Sequence, residues 1–318
     1  GTREEDRVLA VLPLSFDFGL SQLTTAFHAG GSAILLDYLA PRDVLAAVKR
    51  DGATQLAAVP PLWMQLAGLD WPADSTLTTL SASGGRMPLA TVRALRRRFP
   101  RARLHLMYGL TEAFRSTTLD PDLVDAHPDS IGRAIPDAEV LVVRPDGTPC
   151  DDGEPGELVH CGPLVTRGYW GDPARTAARF RPAPAHSRMG GVAVWSGDTV
   201  VRDPSGLLRF VGRDDEMIKT MGTRLSPTEV EEVALASGLV SAAVALGVPD
   251  PAAGERVRLV AALAPGQSAE AAEAGLRAHF RAQAPAYMMP ADIRFLESLP
   301  LSPNGKIDRA ALRAAHGA

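Results

Sequence analysis

Apolar residues recur along this chain in two distinct rhythms, and the change from one to the other divides it. From residue 8 to about 110, short apolar runs at Val8–Leu12, Ala33–Leu36, Gln55–Val59, Leu77–Ser81 and Leu104–Met107 alternate with helix-length amphipathic stretches near 20–29, 42–51, 61–68 and 88–98. Strand-helix alternation of this kind predicts a parallel sheet covered by helices on both faces. Ligands of such sheets collect at the carboxyl ends of the strands. Two loops follow predicted strands and so stand where a ligand would bind: Ser83-Gly84-Gly85 and Tyr108-Gly109-Leu110-Thr111-Glu112.

Residues 131–212 change character. Turn punctuation at Pro145-Asp146-Gly147, Gly153-Glu154-Pro155-Gly156 and Asp203-Pro204-Ser205-Gly206 separates short β-rich runs, which predicts a small antiparallel or barrel-like subdomain. After Arg213 the pattern is that of a compact α+β unit. Ser226, Pro227 and Glu229 occupy N-cap, N1 and N3 of a predicted helix, the arrangement that satisfies orphan helix amides. Strands at 240–247, 257–263 and 292–296, a helix at 269–283 and a final helix from 308 complete the unit. The Ala-rich tract 269–282 is explained by helix propensity.

Bulk composition mainly excludes. With 33 basic and 37 acidic residues among 318, the formal charge is -4, so nothing points to nucleic acid or to an anionic membrane surface. No run approaches the ~18 apolar residues of a membrane span. Cys150 and Cys161 make neither a metal-ligand spacing nor a disulfide framework, which fits buried thiols in a reducing cytoplasm. The seven histidines, His28, His105, His127, His160, His186, His279 and His316, show no catalytic ordering and are read as structural.

Two runs carry the chemistry. Val211-Gly212-Arg213-Asp214-Asp215-Glu216-Met217-Ile218-Lys219-Thr220-Met221-Gly222 is followed about ninety residues later by Leu301-Ser302-Pro303-Asn304-Gly305-Lys306-Ile307-Asp308-Arg309. In this order they resemble the carboxyl-terminal half of the AMP-forming adenylating enzymes: acyl-CoA synthetases, luciferases and the adenylation domains of peptide synthetases. Acyl-CoA ligases associated with exosortase loci look similar too. The family's upstream Ser/Thr/Gly-rich phosphate loop ending in Pro-Lys has no counterpart here, and the chain begins Gly1-Thr2-Arg3. The resemblance therefore implies an N-terminally truncated member. Its fold class is α/β: the remnant of a layered α/β AMP-binding domain at 1–130, a β-rich subdomain of it at 131–213, and a small, mobile α+β C-terminal domain at 214–318.

Activating a carboxylate with ATP requires a cation near the phosphates, bound Mg²⁺, ribose anchors and a flat slot for adenine. The resemblance assigns each to residues. Tyr108-Gly109-Leu110-Thr111-Glu112 resembles the adenine and phosphate loop, with the Thr111 hydroxyl on the α-phosphate and the Glu112 carboxylate on Mg²⁺. Gly84 and Gly85 resemble the adenine-side loop, where missing Cβ atoms let backbone approach a planar ring. Trp195-Ser196-Gly197-Asp198 resembles the Thr-Gly-Asp element whose Asp binds ribose hydroxyls, and Arg213 resembles the second ribose contact. Lys306, projected by the Asn304-Gly305 turn, is the catalytic cation for adenylation. Asp215 resembles the hinge about which the small domain rotates, after which Lys219, Gly222 and Arg224 face the nucleotide and the pantetheine tunnel. Glu157-Leu158, Gly168-Tyr169-Trp170 and Ala174-Arg175-Thr176-Ala177 fit a segment assigned to packing, without chemistry.

The implied activity is formation of an acyl-AMP and transfer of the acyl group to coenzyme A, with the fragment alone expected to be inactive. Two alternatives stand beside it: an amino-acid-adenylating domain that loads the phosphopantetheine of a separate acyl-carrier protein, and an inactive nucleotide-binding fragment. The signals divide. Leu110 is similar to acyl-CoA synthetases, whereas Tyr287-Met288-Met289-Pro290 and the Asn304–Arg309 ending look like peptide synthetases. Asp17, in Phe16-Asp17-Phe18-Gly19, either pairs with a substrate α-ammonium or caps a helix beginning near Leu20.

Overall fold

The computed structural model describes residues 1–213, 216–220, 223–251 and 253–317, with Arg224 described by its backbone only. The chain divides into two compact units, Gly1–Phe210 with Pro303–Gly305, and Val211–Ser302 with Lys306–Ala318.

The first unit opens with alternating strands and helices: β1 (Arg7–Ala10), α1 (Asp17–His28), β2 (Ser32–Leu35), α2 (Pro41–Asp51), β3 (Gln55–Ala58), α3 (Pro60–Ala67), β4 (Thr79–Ala82), α4 (Leu89–Arg98) and β5 (Arg103–Tyr108). Punctuation explains the boundaries. Pro41 and Pro60 start helices at N1, where no amide hydrogen is needed, and Gly52 closes α2 in the left-handed conformation at φ 63°. The order β2-β1-β3-β4-β5 is parallel throughout. Its core joins Leu9, Leu56, Leu80 and Leu104 of the strands to Val44, Val48, Trp63, Leu66 and Leu95 of the helices. Trp63 is fully buried, and its indole N–H donates to the Ser81 carbonyl at 3.0 Å, as a buried indole must find an acceptor.

Beyond β5 the chain turns antiparallel. β6 (Thr117–Thr118), β7 (Ser130–Ala134), β8 (Glu139–Val143), β9 (Pro155–Cys161), α5 (Pro173–Arg179), β10 (Phe180–Pro182), β11 (Val192–Arg202) and β12 (Leu208–Arg213) follow. These strands continue the same sheet in the order β5-β6-β7-β12-β11-β9-β8, with β10 beside β11, so the β-rich region extends the parallel array.

The second unit contains β13 (Ile218–Thr220), β14 (Thr223–Leu225), α6 (Pro227–Ala236), β15 (Val240–Asp250), β16 (Gly254–Leu263), α7 (Ala269–Gln283), β17 (Asp292–Leu296) and α8 (Arg309–His316). Its strands run β14-β13-β16-β15, with β17 parallel to β16. Helices cover both faces, which is why β15 and β16 read as continuous apolar runs. Ala243 and Ala245 pack with Val230 of α6 and Leu276 and Phe280 of α7, while Val244 and Leu246 pack with Leu312 of α8. Ser226 is the N-cap residue of α6 and Pro227 its N1, but the expected side-chain cap does not form. The Ser226 hydroxyl donates instead to the Val211 carbonyl.

Candidate functional site

The parallel pairing of β4 with β5 puts both glycine-bearing loops on neighbouring strand ends. Gly84 has φ 85°, a conformation most side chains resist. Gly109 is required by space: a Cβ there would lie 2.2 Å from the Arg115 nitrogen. The loop closes on itself through reciprocal Leu110 and Ala113 backbone hydrogen bonds of 3.2 Å. Thr111 is exposed at its tip and Glu112 half-buried beside it.

Tyr108, at the end of β5, donates its hydroxyl to the Asp198 carboxylate across ninety residues of sequence. Asp198 is 4% exposed, on a β11 whose register shifts between Trp195 and Thr199. Its loop is held from three sides. The Asp198 amide donates to Ser196 Oγ, whose hydroxyl donates to the Leu158 carbonyl; the Gly197 amide donates to Glu157 Oε1; and Arg179 Nη1 donates to the Ser196 carbonyl at 2.6 Å. Glu157 and Leu158 thus fix the backbone that presents Asp198, a role the sequence reading missed when it gave them packing alone.

Glu112 accepts a hydrogen bond on Oε1 from the Tyr169 hydroxyl. Among the described residues no Lys or Arg lies within ion-pair distance of Glu112, and no group of three metal-ligating side chains exists. One carboxylate completed by phosphate oxygens and water is nevertheless the usual protein contribution to a Mg²⁺ site, so the residues present fit that ion.

One histidine that the sequence analysis reads as structural proves fully buried, and one arginine that it passes over proves half-buried beside the site. His160 is fully buried in β9, stacked on Tyr108 with centroids 5.9 Å apart and planes at 20°. Neither ring nitrogen has a hydrogen-bond partner, and burial pushes its pKa down to about 3, so the imidazole is neutral. Arg115 has φ 51°, donates Nη2 to Ser21 Oγ at 2.8 Å and lies over the rings of Phe114 and Phe18 at 5.1 and 5.6 Å. Burial lowers its pKa, while Asp17 pulls it the other way. Local sequence carries no signal for either burial.

Asp17 needs a correction. The helix starts at Asp17 itself, with Phe16 as N-cap, and no side chain caps it. Asp17 lies in the first turn, where its carboxylate accepts the Phe18 amide at 2.7 Å and favours the helix dipole.

In the second unit, Arg213 ends β12, and Lys219 of β13 pairs in register with Arg224 of β14. The Lys219 amide donates to Glu255 Oε2 at 2.6 Å, and its side chain is exposed. Lys306 lies in a hairpin closed by the Leu301↔Ile307 bridge and by a 2.7 Å bond from the Ser302 amide to the Lys306 carbonyl, with Gly305 at φ 73°. Asp215 and Gly222 lie outside the described residues. The structure therefore gathers Gly84, Gly85, Tyr108, Thr111, Glu112 and Asp198 within the first unit, and places Lys219, Arg224 and Lys306 in the second.

Comparison with known proteins shows the family. The family model described as "AMP-binding enzyme" matches residues 1–170, and that described as "AMP-binding enzyme C-terminal domain" matches residues 229–306. The chain is 33% identical over 97% of its length to 2-hydroxy-7-methoxy-5-methyl-1-naphthoate–CoA ligase of Streptomyces carzinostaticus, spanning 55% of that protein. It is 30% identical over 98% of its length to part of tyrocidine synthase 3 of Brevibacillus parabrevis, covering 5% of it. Among solved structures, o-succinylbenzoate CoA synthetase of Bacillus subtilis with its acyl-adenylate intermediate matches 98% of this chain and 62% of that one, with a TM-score of 0.84 at 26% identity. A mixed α/β chain with a large and a small sheet, matched by both family models in order, belongs to the AMP-binding enzyme family.

Proposed function

We propose that this chain carries the nucleotide contacts and the catalytic lysine of an AMP-forming acid–thiol ligase, which activates a carboxylic acid with ATP and passes the acyl group to coenzyme A. The observation that carries this reading is the Tyr108–Asp198 hydrogen bond. It brings a planar aromatic and a buried carboxylate together beside the Thr111–Glu112 loop. Tyr108 would lie against adenine with the Gly84-Gly85 backbone opposite, and Asp198 would accept from ribose hydroxyls. Thr111 would donate to the α-phosphate. Glu112 would hold Mg²⁺, which supplies neutralisation of the phosphate charge. Residues 1–213 form the nucleotide-binding part of this scheme, and residues 214–318 the mobile part. In one pose Lys306 stabilises charge on the reacting phosphate and carboxylate; after rotation about Asp215, Lys219, Gly222 and Arg224 face the thiol.

A second reading, an amino-acid-adenylating domain loading an acyl-carrier protein, draws on the likeness to tyrocidine synthase 3. Arg115 weighs against it. Asp17, which would have to meet an α-ammonium, is only half-buried in the first turn of α1, accepts the Phe18 amide there, and lies in the field of the positive Arg115. No helix among the described residues is long and apolar enough to cross a membrane, and a cytoplasmic place of action is part of the proposal. The test is carboxylate-dependent pyrophosphate exchange by a protein spanning the relatives' full length, offered fatty, aryl and amino acids. Exchange with aryl or fatty acids followed by thioester formation on coenzyme A supports the ligase; exchange with amino acids alone favours the second reading.

A further inference from the structure

We propose that Tyr169 is the positioning residue for the carboxylate of Glu112, and that the stretch from Val165 to Arg179 is built to aim it. The inference rests on the reading of Glu112 as the metal carboxylate. The phenol donates to Oε1 from 57 residues away in sequence, which leaves Oε2 for a cation. Carboxylates that bind metals are themselves held by hydrogen bonds that set their orientation. A neutral phenol suits this task better than Arg or Lys, which would cancel the charge that attracts the metal.

Everything around the ring serves its direction. The guanidinium of Arg175 lies 4.2 Å from the ring centroid, and Phe180 meets the ring edge-on at 5.7 Å. The Tyr169 amide donates to Thr176 Oγ1 at 2.9 Å, and the Thr176 hydroxyl donates to the Asp172 carbonyl at 2.7 Å. Asp172 in turn caps α5 by accepting the Arg175 amide at 2.9 Å. Gly168 has φ 128°, and a Cβ there would lie 2.4 Å from Thr176 Cγ2, so the residue before Tyr169 has to be Gly. The same stretch grips the backbone of the Glu112 loop through the Ala113↔Val165 bridge and a 2.9 Å bond from the Thr166 amide to the Glu112 carbonyl. At its far end Arg179 holds the carbonyls of Trp195 and Ser196 next to Asp198. One short helix and its approach therefore present the metal carboxylate at one end and the ribose carboxylate at the other.

The test is a titration of the chain with Mn²⁺ in the presence of ATP, followed by electron paramagnetic resonance. Tyr169→Phe keeps the ring and its contacts and removes only the hydroxyl. It should weaken Mn²⁺ binding by about tenfold to a hundredfold. ATP affinity without metal and the melting temperature should hardly move. Arg175→Met, which loosens the ring, should give a smaller weakening in the same direction. In a Glu112→Ala background, Tyr169→Phe should have no further effect on the metal. Unchanged Mn²⁺ affinity in Tyr169→Phe, while the unsubstituted chain and Glu112→Ala differ, overturns the role of Tyr169 and leaves the reading of Glu112 standing. Equal Mn²⁺ binding by the unsubstituted chain and Glu112→Ala overturns both.

Discussion

Arg309, at the start of α8, donates Nη2 to both carboxylate oxygens of Glu231 on α6, at 2.8 and 2.6 Å. The Glu231 side chain is 9% exposed and also accepts the Ala245 amide of β15 at 2.9 Å; Glu216 lies 3.9 Å from Arg309 on its outer side. Arg309→Met would leave a buried carboxylate with one backbone donor. Removing one partner of a buried pair costs about 3–5 kcal/mol, and because the Arg309 side chain is 32% exposed, water would relieve part of it, which places the expected loss near 3 kcal/mol. The double variant Glu231→Leu with Arg309→Met removes the orphaned charge and should return to within about 1 kcal/mol of the unsubstituted chain. Because two units need not unfold together, the loss should be read locally, by native-state hydrogen exchange of peptides spanning α6, β15 and α8. Burial already raises the Glu231 pKa against the pull of Arg309, and loss of Arg309 raises it further. A carboxyl with a raised folded pKa contributes most below its unfolded value of about 4.3 and loses that contribution as pH rises through the folded value. Arg309→Met should therefore be less damaging at pH 5 than at pH 8. A loss below about 1 kcal/mol, or a double variant weaker than the single one, would refute the reasoning.

Three other outcomes are expected. His160→Leu removes a buried imidazole without partners and should stabilise the first unit by about 1–3 kcal/mol. Its native pKa of about 3 makes stability fall as pH drops below about 6.5, by up to about 1.4 kcal/mol per unit, and chemical denaturation across pH 4–8 should show that slope flattened in the variant. In a protein of the relatives' full length, Lys306→Ala should slow adenylate formation by several kcal/mol, on the order of losing an electrostatic catalyst, yet spare thioester formation from a preformed adenylate. Gly222→Leu should do the reverse, and equal losses in both half-reactions for both variants would remove the two-pose mechanism. Asp17→Ala should leave the ranking of acids unchanged in a substrate panel, since its half-buried carboxylate serves the first turn of α1 by accepting the Phe18 amide; selective loss of amino-acid turnover would contradict that.

Much of the scaffold was legible because burial on both faces of a sheet and on one face of a helix imposes periods that local sequence must obey. The predicted strand at 104–107 is Arg103–Tyr108, and the predicted helix at 269–283 is Ala269–Gln283. The β13–β14 hairpin went unseen, since strands of three residues are too short to display any period. Asp17 showed why an acidic residue before a helix is ambiguous: the same side chain serves at N-cap or in the first turn, and packing of Phe16 and Phe18 decided where the helix began. Glycines mark the site well, because Gly109 and Gly168 answer to close approaches that no other residue permits. What stayed hidden are contacts whose partners lie far apart in sequence. Tyr169 reaches Glu112, Glu157 reaches Gly197 and Arg115 reaches Ser21 only once the sheet has formed.

The most direct test of the nucleotide site is isothermal titration of the 318-residue chain with a non-hydrolysable acyl-adenylate analogue. Asp198 and Tyr108, the proposed ribose and ring contacts, both lie within the first unit, so the chain should bind one analogue. Asp198→Ala, which removes a charged acceptor worth about 1.5–3 kcal/mol, should weaken that binding by about ten- to a hundredfold. Failure of the chain to bind, or equal affinity in Asp198→Ala, would contradict the assignment.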